Sequence, residues 1–538
     1  MDRWKRERMT QRLAAVLLAW SAIALSGPAR GQTAGVEPPR RLPPIDAPAL
    51  GPLAPYAPAA ASMPASAAAP ISATGAAPAA AAREGQRYAW IPSGGAHAIT
   101  PHPSVRAGVA PAAPNQAPWM SGTPHDQFCL RPSYRYNGAG GYLHVATPNE
   151  QYSINLQNQL TLDGTFYDQS DMPTDQKGFC MPFTRTYLFG NITPEWQYQI
   201  ATQAFLGQFN ILDGFVNWHW GDEFNVRIGR GLSPMLYEYY AFSPAWEPVI
   251  TNSVVFQLAG RRQEGVMLSG NVLDGTLQYQ AGVFNGVSGA FFDLDRSVDF
   301  LGSATVTPWA GTNSAVDCLG LGVSVQTGQH NYALNQTGSA WTNGAGEPST
   351  NINYITSSGV PFFEYNQNTA ADGTQSKVAP HFFWYGRFSV LAEYLYSTRQ
   401  LALGATRGSA VQQGYYVNAS YFLTGERYHG NGLAGYTTVM PLRPFLPSQG
   451  LHGPGAWEVA AQFSQLRLDD DNFRFVTTPN RYASRVDQLM IGVNWWPTRY
   501  VRMSLDNVFT WFDRAIPLGD NAPTDQFNTV WCRAAMFF

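Results

Sequence analysis

Tyr152-Ser153-Ile154-Asn155-Leu156-Gln157-Asn158-Gln159-Leu160-Thr161-Leu162-Asp163 changes character at almost every step. Tyr152, Ile154, Leu156, Leu160 and Leu162 share one parity; Ser153, Asn155, Gln157, Gln159, Thr161 and Asp163 share the other. Successive side chains of an extended strand point to opposite faces, so this stretch predicts a strand with one apolar and one polar face. Two architectures use such a strand. A soluble β-sandwich turns the apolar face to its core. An outer-membrane barrel turns it to lipid and keeps the polar face around a lumen.

The same period recurs along the chain, in Trp196-Tyr198-Ile200, Leu277-Tyr279-Ala281-Val283, Tyr415-Val417-Ala419-Tyr421 and Val501-Met503-Leu505. It recurs at the end, where Phe527 to Phe538 reads as a strand with a terminal aromatic. Short turns at 191–194, 221–222, 274–275 and 497–499 alternate with longer loops at 164–180, 231–260, 285–299, 327–378, 469–485 and 511–526. Short periplasmic turns and long outer loops are the pattern of an outer-membrane barrel. Threading both through the sequence predicts strands near 151–162, 181–190, 195–205, 212–220, 223–230, 262–271, 276–284, 300–307, 318–326, 379–385, 388–397, 413–423, 455–467, 486–496, 500–510 and 527–538. That is an all-β, transmembrane antiparallel barrel of about sixteen strands. The interval 424–454 is long for a periplasmic turn; two further strands there would make eighteen.

Composition agrees with export to a membrane. Arg3, Lys5, Arg6, Arg8 and Arg12 precede the apolar run Leu13–Leu25, and Ala29-Arg30-Gly31 ends on small residues. Residues 1–31 therefore read as a cleaved signal peptide. Beyond them no run approaches the ~18–20 apolar residues that a membrane-spanning helix needs. Residues 32–140 are rich in Ala and Pro and read as a disordered periplasmic leader, with 141–538 as the barrel domain. Charged residues make up only 13% of the chain, against about 25% in a typical soluble protein. Removing the signal takes the net charge from −3 to −7, because it carries six basic and two acidic residues. That argues against a nucleic-acid binder, which would show a basic surface. The expected partners are outer-membrane lipid and lipopolysaccharide, and the expected location is the cell outer membrane. Cys129, Cys180, Cys318 and Cys532 form no metal pattern; Cys129 and Cys180 could pair outside the strands.

Several segments resemble the phosphate-selective porin O and P family. They are Gly455-Ala456-Trp457-Glu458, Gly414-Tyr415-Tyr416-Val417 through Thr424-Gly425-Glu426, Gly492-Val493-Asn494-Trp495-Trp496-Pro497, and Val226-Arg227-Ile228-Gly229-Arg230 through Ser233-Pro234. Arg533, five residues before Phe538, also matches. The resemblance covers roughly residues 141–538. It implies a water-filled, sixteen-stranded homotrimer that passes small solutes, with its third outer loop folded into the lumen. By position that loop is 231–260. In phosphate-selective relatives, lysines at the constriction bind the anion and wall arginines lead to it. Here the loop holds no Lys or Arg. It carries Glu238 and Glu247 with Tyr237, Tyr239, Tyr240, Phe242, Trp246 and Phe256.

Alternation gives the remaining candidates. Arg227, Arg502 and Arg533 fall on polar faces, and Arg185 and Arg261 join them as pore-lining candidates. A charge at the bilayer midplane costs about 2–4 kcal/mol, so the lumen is the better place for them. They either select solutes or hold the structure through Asp506, Glu458 or Glu393. The loop candidates are Tyr237, Glu238, Tyr239, Tyr240, Trp246 and Glu247; their rings either line the path or pack the loop against the wall. Trp218, Trp220, Tyr394, Tyr396, Tyr415, Trp457 and Trp495 suit interfacial girdles. Asp469-Asp470-Asp471-Asn472 is an acidic outer turn. His219 and His381 are the histidines within strands, and neither has a serine visibly paired with it, so no catalytic residue, cofactor or metal is expected. The expected function is passive diffusion of small polar or charged solutes, phosphate-like anions included. The rival is a lumen-plugged barrel acting as anchor, adhesin or enzyme.

Overall fold

The computed structural model describes residues 131–538, except 138–139, 171, 175–176, 206–207, 243–244, 288–292, 313, 338–352, 431–434 and 520–521. The signal peptide, Cys129 and the leader up to residue 130 lie outside the described residues.

Sixteen strands form the wall: β1 Ser153–Tyr167, β2 Thr184–Asn191, β3 Trp196–Phe205, β4 Gln208–Gly221, β5 Phe224–Leu232, β6 Arg262–Val272, β7 Leu277–Phe284, β8 Asp299–Val306, β9 Leu319–Ala333, β10 Ala370–Trp384, β11 Phe388–Leu403, β12 Thr406–Phe422, β13 Ala456–Leu468, β14 Arg485–Thr498, β15 Val501–Ile516 and β16 Thr524–Phe537. Each pairs antiparallel with the next. The last returns to the first, from Thr529 opposite Tyr167 to Phe537 opposite Gln159, so the barrel is closed. Closure removes every exposed edge, which hydrocarbon would not tolerate. A hairpin of Arg131–Asn137 and Gly140–Ala146 straddles the expected leader boundary. Its second strand pairs with the start of β1, Leu143 opposite Leu156, and Gly140 lies against Phe537.

The faces are inverted relative to a soluble protein. On β1, Gln157, Gln159, Thr161, Asp163 and Thr165 are at most 2% exposed, whereas Leu162 and Phe166 are 50% and 47% exposed. A sandwich would bury the leucines. Apolar side chains outside and polar ones inside identify the lipid-facing wall.

The sixteen predicted strands all form, and among the described residues 424–454 adds none to the wall: the strands there are the pair Phe445–Leu446 and Leu451–His452. Eighteen is therefore replaced by sixteen. Several strands run further outward than predicted. β9 reaches Ala333 and β10 begins at Ala370, inside the interval read as loop. There the outward residues are Thr327, Gln329 and Asn331, all exposed, so the apolar half of the alternation is gone. Above the hydrocarbon band the outer face has no reason to be apolar.

Candidate functional site: the lumen and the segments that fill it

The third outer loop, 233–261, enters the lumen as expected. Its α-helical turn, Tyr237–Tyr240, is entirely buried. Amides at the start of such a turn lack internal partners. Here Glu393 of β11 supplies them, accepting from Tyr237 N at 2.7 Å and Glu238 N at 3.2 Å. Tyr416 of β12 donates its hydroxyl to the same carboxylate.

The far half of the loop is held from β14, β15 and β16. Asn494 donates to Pro248 O at 2.6 Å. Arg502 donates to Ala245 O at 2.9 Å and Pro248 O at 3.2 Å, and is itself fixed by Asn494 Oδ1 at 2.8 Å. Asp506 accepts from Ile250 N at 2.6 Å. Its carboxylate lies across from Gly492, where a Cβ would come within 1.9 Å of Asp506 Oδ1; only glycine leaves that space. Arg533 grips Asp163 of β1 with two nitrogens, each at 2.7 Å, and donates a third bond to Ile250 O at 2.6 Å. Bidentate arginine–carboxylate pairs are strong and directional, the more so where water is scarce.

Each predicted residue can now be placed. Arg502 and Arg533 face inward, and both bond loop carbonyls; the carboxylate that pairs with Arg533 is Asp163. Arg227 also faces inward, bonding Leu232 O and lying 3.5 Å from Met267 Sδ. Arg185 donates to Gln203 at 2.6 Å and lies over Phe183. Arg261 is buried at the end of the loop with a left-handed backbone, φ 56°. Lys377 of β10 donates to Leu258 O at 2.9 Å and feels the charges of Arg261, Arg399 and Asp299.

The loop carboxylates turn inward on the loop itself. Glu238 accepts from Ser253 N and its hydroxyl, and Glu247 from Asn252. The aromatics pack. Tyr237 stacks on His381 at 4.5 Å and on Phe383 at 5.2 Å, Tyr239 meets Phe256 at 5.3 Å, and Trp246 meets Phe537 at 5.6 Å. Tyr240 is buried in the same cluster.

Two further segments share the lumen. Tyr354, Phe362, Phe363 and Tyr365, between β9 and β10, join the outer cluster beside Met235, Leu236 and Tyr239. From the periplasmic side, Tyr428, Tyr436 and Val439 of the 423–455 link are buried beside Tyr237, Phe242 and Tyr385. Neither was visible in the alternation, since both carry apolar residues without strand periodicity. The length of the link was the one signal.

Among the described residues no group of three or more His, Cys, Asp or Glu could hold a metal ion. Asn472, at the end of the acidic turn, is buried and bonds Val411 O and Tyr365. Cys180, Cys318 and Cys532 are free thiols.

A closed sixteen-stranded wall with lipid-loving residues outside, polar ones inside and an inward-folded third loop defines an outer-membrane porin. The sequence pattern of the phosphate-selective porin O and P family matches residues 188–509. The chain belongs to that family, and it is an outer-membrane channel for passive diffusion of solutes. It is 25% identical to porin O of Pseudomonas aeruginosa over 397 residues, covering 68% of this chain and 84% of that protein. Among solved structures it is similar to an anion-selective porin from Comamonas acidovorans, with 11% identity, a TM-score of 0.42, and 72% of this chain and 100% of that one covered. It is also similar to the outer-membrane channel DcaP of Acinetobacter baumannii, with 11% identity, a TM-score of 0.44, and 72% and 97% covered.

Proposed function

We propose that this porin passes small hydrophilic solutes with a mild preference for anions and has no tight phosphate site. One observation carries the reading: residues 231–260 hold Glu238 and Glu247 and no Lys or Arg. A constriction selects anions by presenting cations at close range. The wall arginines Arg502 and Arg533 spend donors on its carbonyls. The other inward cations, Arg185, Arg227, Arg261, Lys377 and Arg399, lie on separate strands or at the loop's end rather than gathered at one point. A few cations dispersed along a path attract anions over a distance set by screening, without enclosing one.

The protein works as a homotrimer in outer-membrane lipid, with lipopolysaccharide around its outer rim and residues 32–130 as a periplasmic leader. It has no enzymatic role. His219 bonds Asn225 and His381 bonds Thr305, so neither is set beside a serine nucleophile.

Planar-bilayer recordings test the proposal. In a potassium chloride gradient the reversal potential should show chloride favoured by a small factor. Millimolar inorganic phosphate should leave the chloride current largely intact. Strong block at low phosphate would overturn the proposal.

A further inference from the structure

Arg499 lies outside the lumen, in the short turn between β14 and β15 at the periplasmic rim of the wall. Its guanidinium carbon sits 4.0 Å from the centre of the Tyr136 ring, a cation–π contact that crosses from the wall to the hairpin at 131–146. Tyr136 and Tyr500 share a hydrogen bond through their hydroxyls, and Tyr134 meets Tyr136 edge-on at 5.4 Å. Among the described residues no carboxylate pairs with Arg499, and its Nε is buried without a hydrogen-bond partner. Two other arginines of this rim are already engaged. Arg135 of the hairpin pairs with Glu150 at 2.5 Å. Arg387, in the turn between β10 and β11, donates to Phe422 O at 3.0 Å and Leu423 O at 3.3 Å.

Strand register decides which way the cluster faces. In the hairpin Tyr136 stands opposite Gly141 and Tyr134 opposite Leu143, and Leu143 stands opposite Leu156 of β1. Residues directly opposite each other share a face of the sheet. Tyr134 and Tyr136 therefore prolong the lipid-facing row of Leu156, and all four side chains are exposed. On the wall side, Met536 stands opposite Val501, and Phe537 N donates to Tyr500 O at 2.9 Å. Met536 and the terminal Phe538 are exposed there too. Phe538 O accepts from Asn158 N of β1, so the chain's end has its own partner.

We propose that Arg499, with Tyr134, Tyr136 and Tyr500, binds the phosphate of a phospholipid in the inner leaflet of the outer membrane. The apolar row takes the acyl chains, the tyrosine hydroxyls lie at the depth of the headgroup, and the guanidinium meets the phosphodiester. Basic sites at the membrane surface recognise anionic headgroups in this way. A girdle of aromatics explains the rings without any cation. The guanidinium adds a planar set of donors that matches phosphate oxygens. The bound lipid bridges the hairpin and the β14–β15 turn, whose Tyr136 and Tyr500 are 364 residues apart. The inference rests on the outer-membrane location and is independent of the solute that the channel passes.

The test titrates the full-length protein in detergent with dioctanoyl phosphatidylglycerol. Native mass spectrometry counts bound lipid, and the melting temperature of the barrel is followed in parallel. Phosphatidylglycerol should bind and raise the melting temperature; dioctanoylglycerol, with the same chains and no phosphate, should bind far less. Arg499→Gln should weaken phosphatidylglycerol binding about ten-fold. Tyr136→Leu removes the platform from the hairpin side and should weaken binding in the same direction. It decides the matter if Arg499→Gln fails to give a heat-resistant barrel on gels. Equal phosphatidylglycerol binding by the wild type and either folded variant would overturn the proposal. Equal binding of dioctanoylglycerol by the wild type would also overturn it, because the chains alone would then account for the contact. Millimolar inorganic phosphate that raised the melting temperature as much as the lipid would overturn the assignment to a lipid.

Discussion

The two halves of the barrel wall use their polar side chains in different ways. Along β3–β9 the bonds run sideways, within the wall. Asn217 donates to Gln197 at 2.9 Å, Gln199 to Asp213 at 3.2 Å, Arg262 to Asp213 at 2.8 Å and Ser303 to Gln280 at 3.4 Å. Along β11–β16 the bonds run inward, from Glu393, Asn494, Arg502, Asp506 and Arg533 to the backbone of the third loop. One half lines a path and the other holds an insert. A charge in a lumen is therefore no measure of selectivity until its partners are known. Arg502 and Arg533 sit where an anion-guiding ladder would be expected, yet they serve as clasps.

That contrast can be broken by mutation, and the largest effect belongs to the clasping half. Arg533→Met leaves Asp163 buried without its partner. Loss of one member of a buried pair destabilises by about 3–5 kcal/mol, so the variant should unfold at markedly lower guanidinium in liposomes. A loss below about 1 kcal/mol would show that the clasp contributes little. Glu393→Leu strands the amides of Tyr237 and Glu238 in the lumen. The expected loss is about 1–3 kcal/mol, accompanied by noisier open-channel current as the loop loosens. Quiet current with unchanged step size would mean that packing of Tyr237 on His381 and Phe383 suffices. Asn217→Ala, on the lining half, should sharpen the comparison by doing least. Stability should stay within about 0.5 kcal/mol, and conductance should rise slightly. A collapse of stability there would mean that both halves are structural.

The wall was legible because lipid on one side and water on the other impose a period of two at every strand. Every strand overlaps one predicted from that period and the loop lengths, and Arg227, Arg502 and Arg533 lie on the inward face that parity assigns. What the period could not reveal were features that obey other constraints. The outer ends of β9 and β10 carry polar residues on both faces, so they read as loop. The segments around Tyr354–Tyr365 and Tyr428–Val439 bury side chains by packing into a filled lumen, which imposes no period. Partners were hidden for a different reason. Arg533 and Asp163 lie 370 residues apart, and only closure of the barrel brings them together. The segment Gly492 to Pro497 was recognisable by resemblance; that Gly492 makes room for Asp506, and that Asn494 braces Arg502, required coordinates.

The pairing of β16 with β1 has a consequence for how the molecule is made. Those two strands are the most distant neighbours in the wall, and a contact so far apart in sequence is slow to find. Until the C-terminal strand arrives, β1 offers an unpaired edge that could recruit any other chain. The hairpin at 131–146 is local to β1 and covers part of that edge, beside Ser153 to Leu156. It stands as a permanent hem at the seam: in the closed wall it holds residues 153–156, just beyond the 159–167 stretch that the final strand covers.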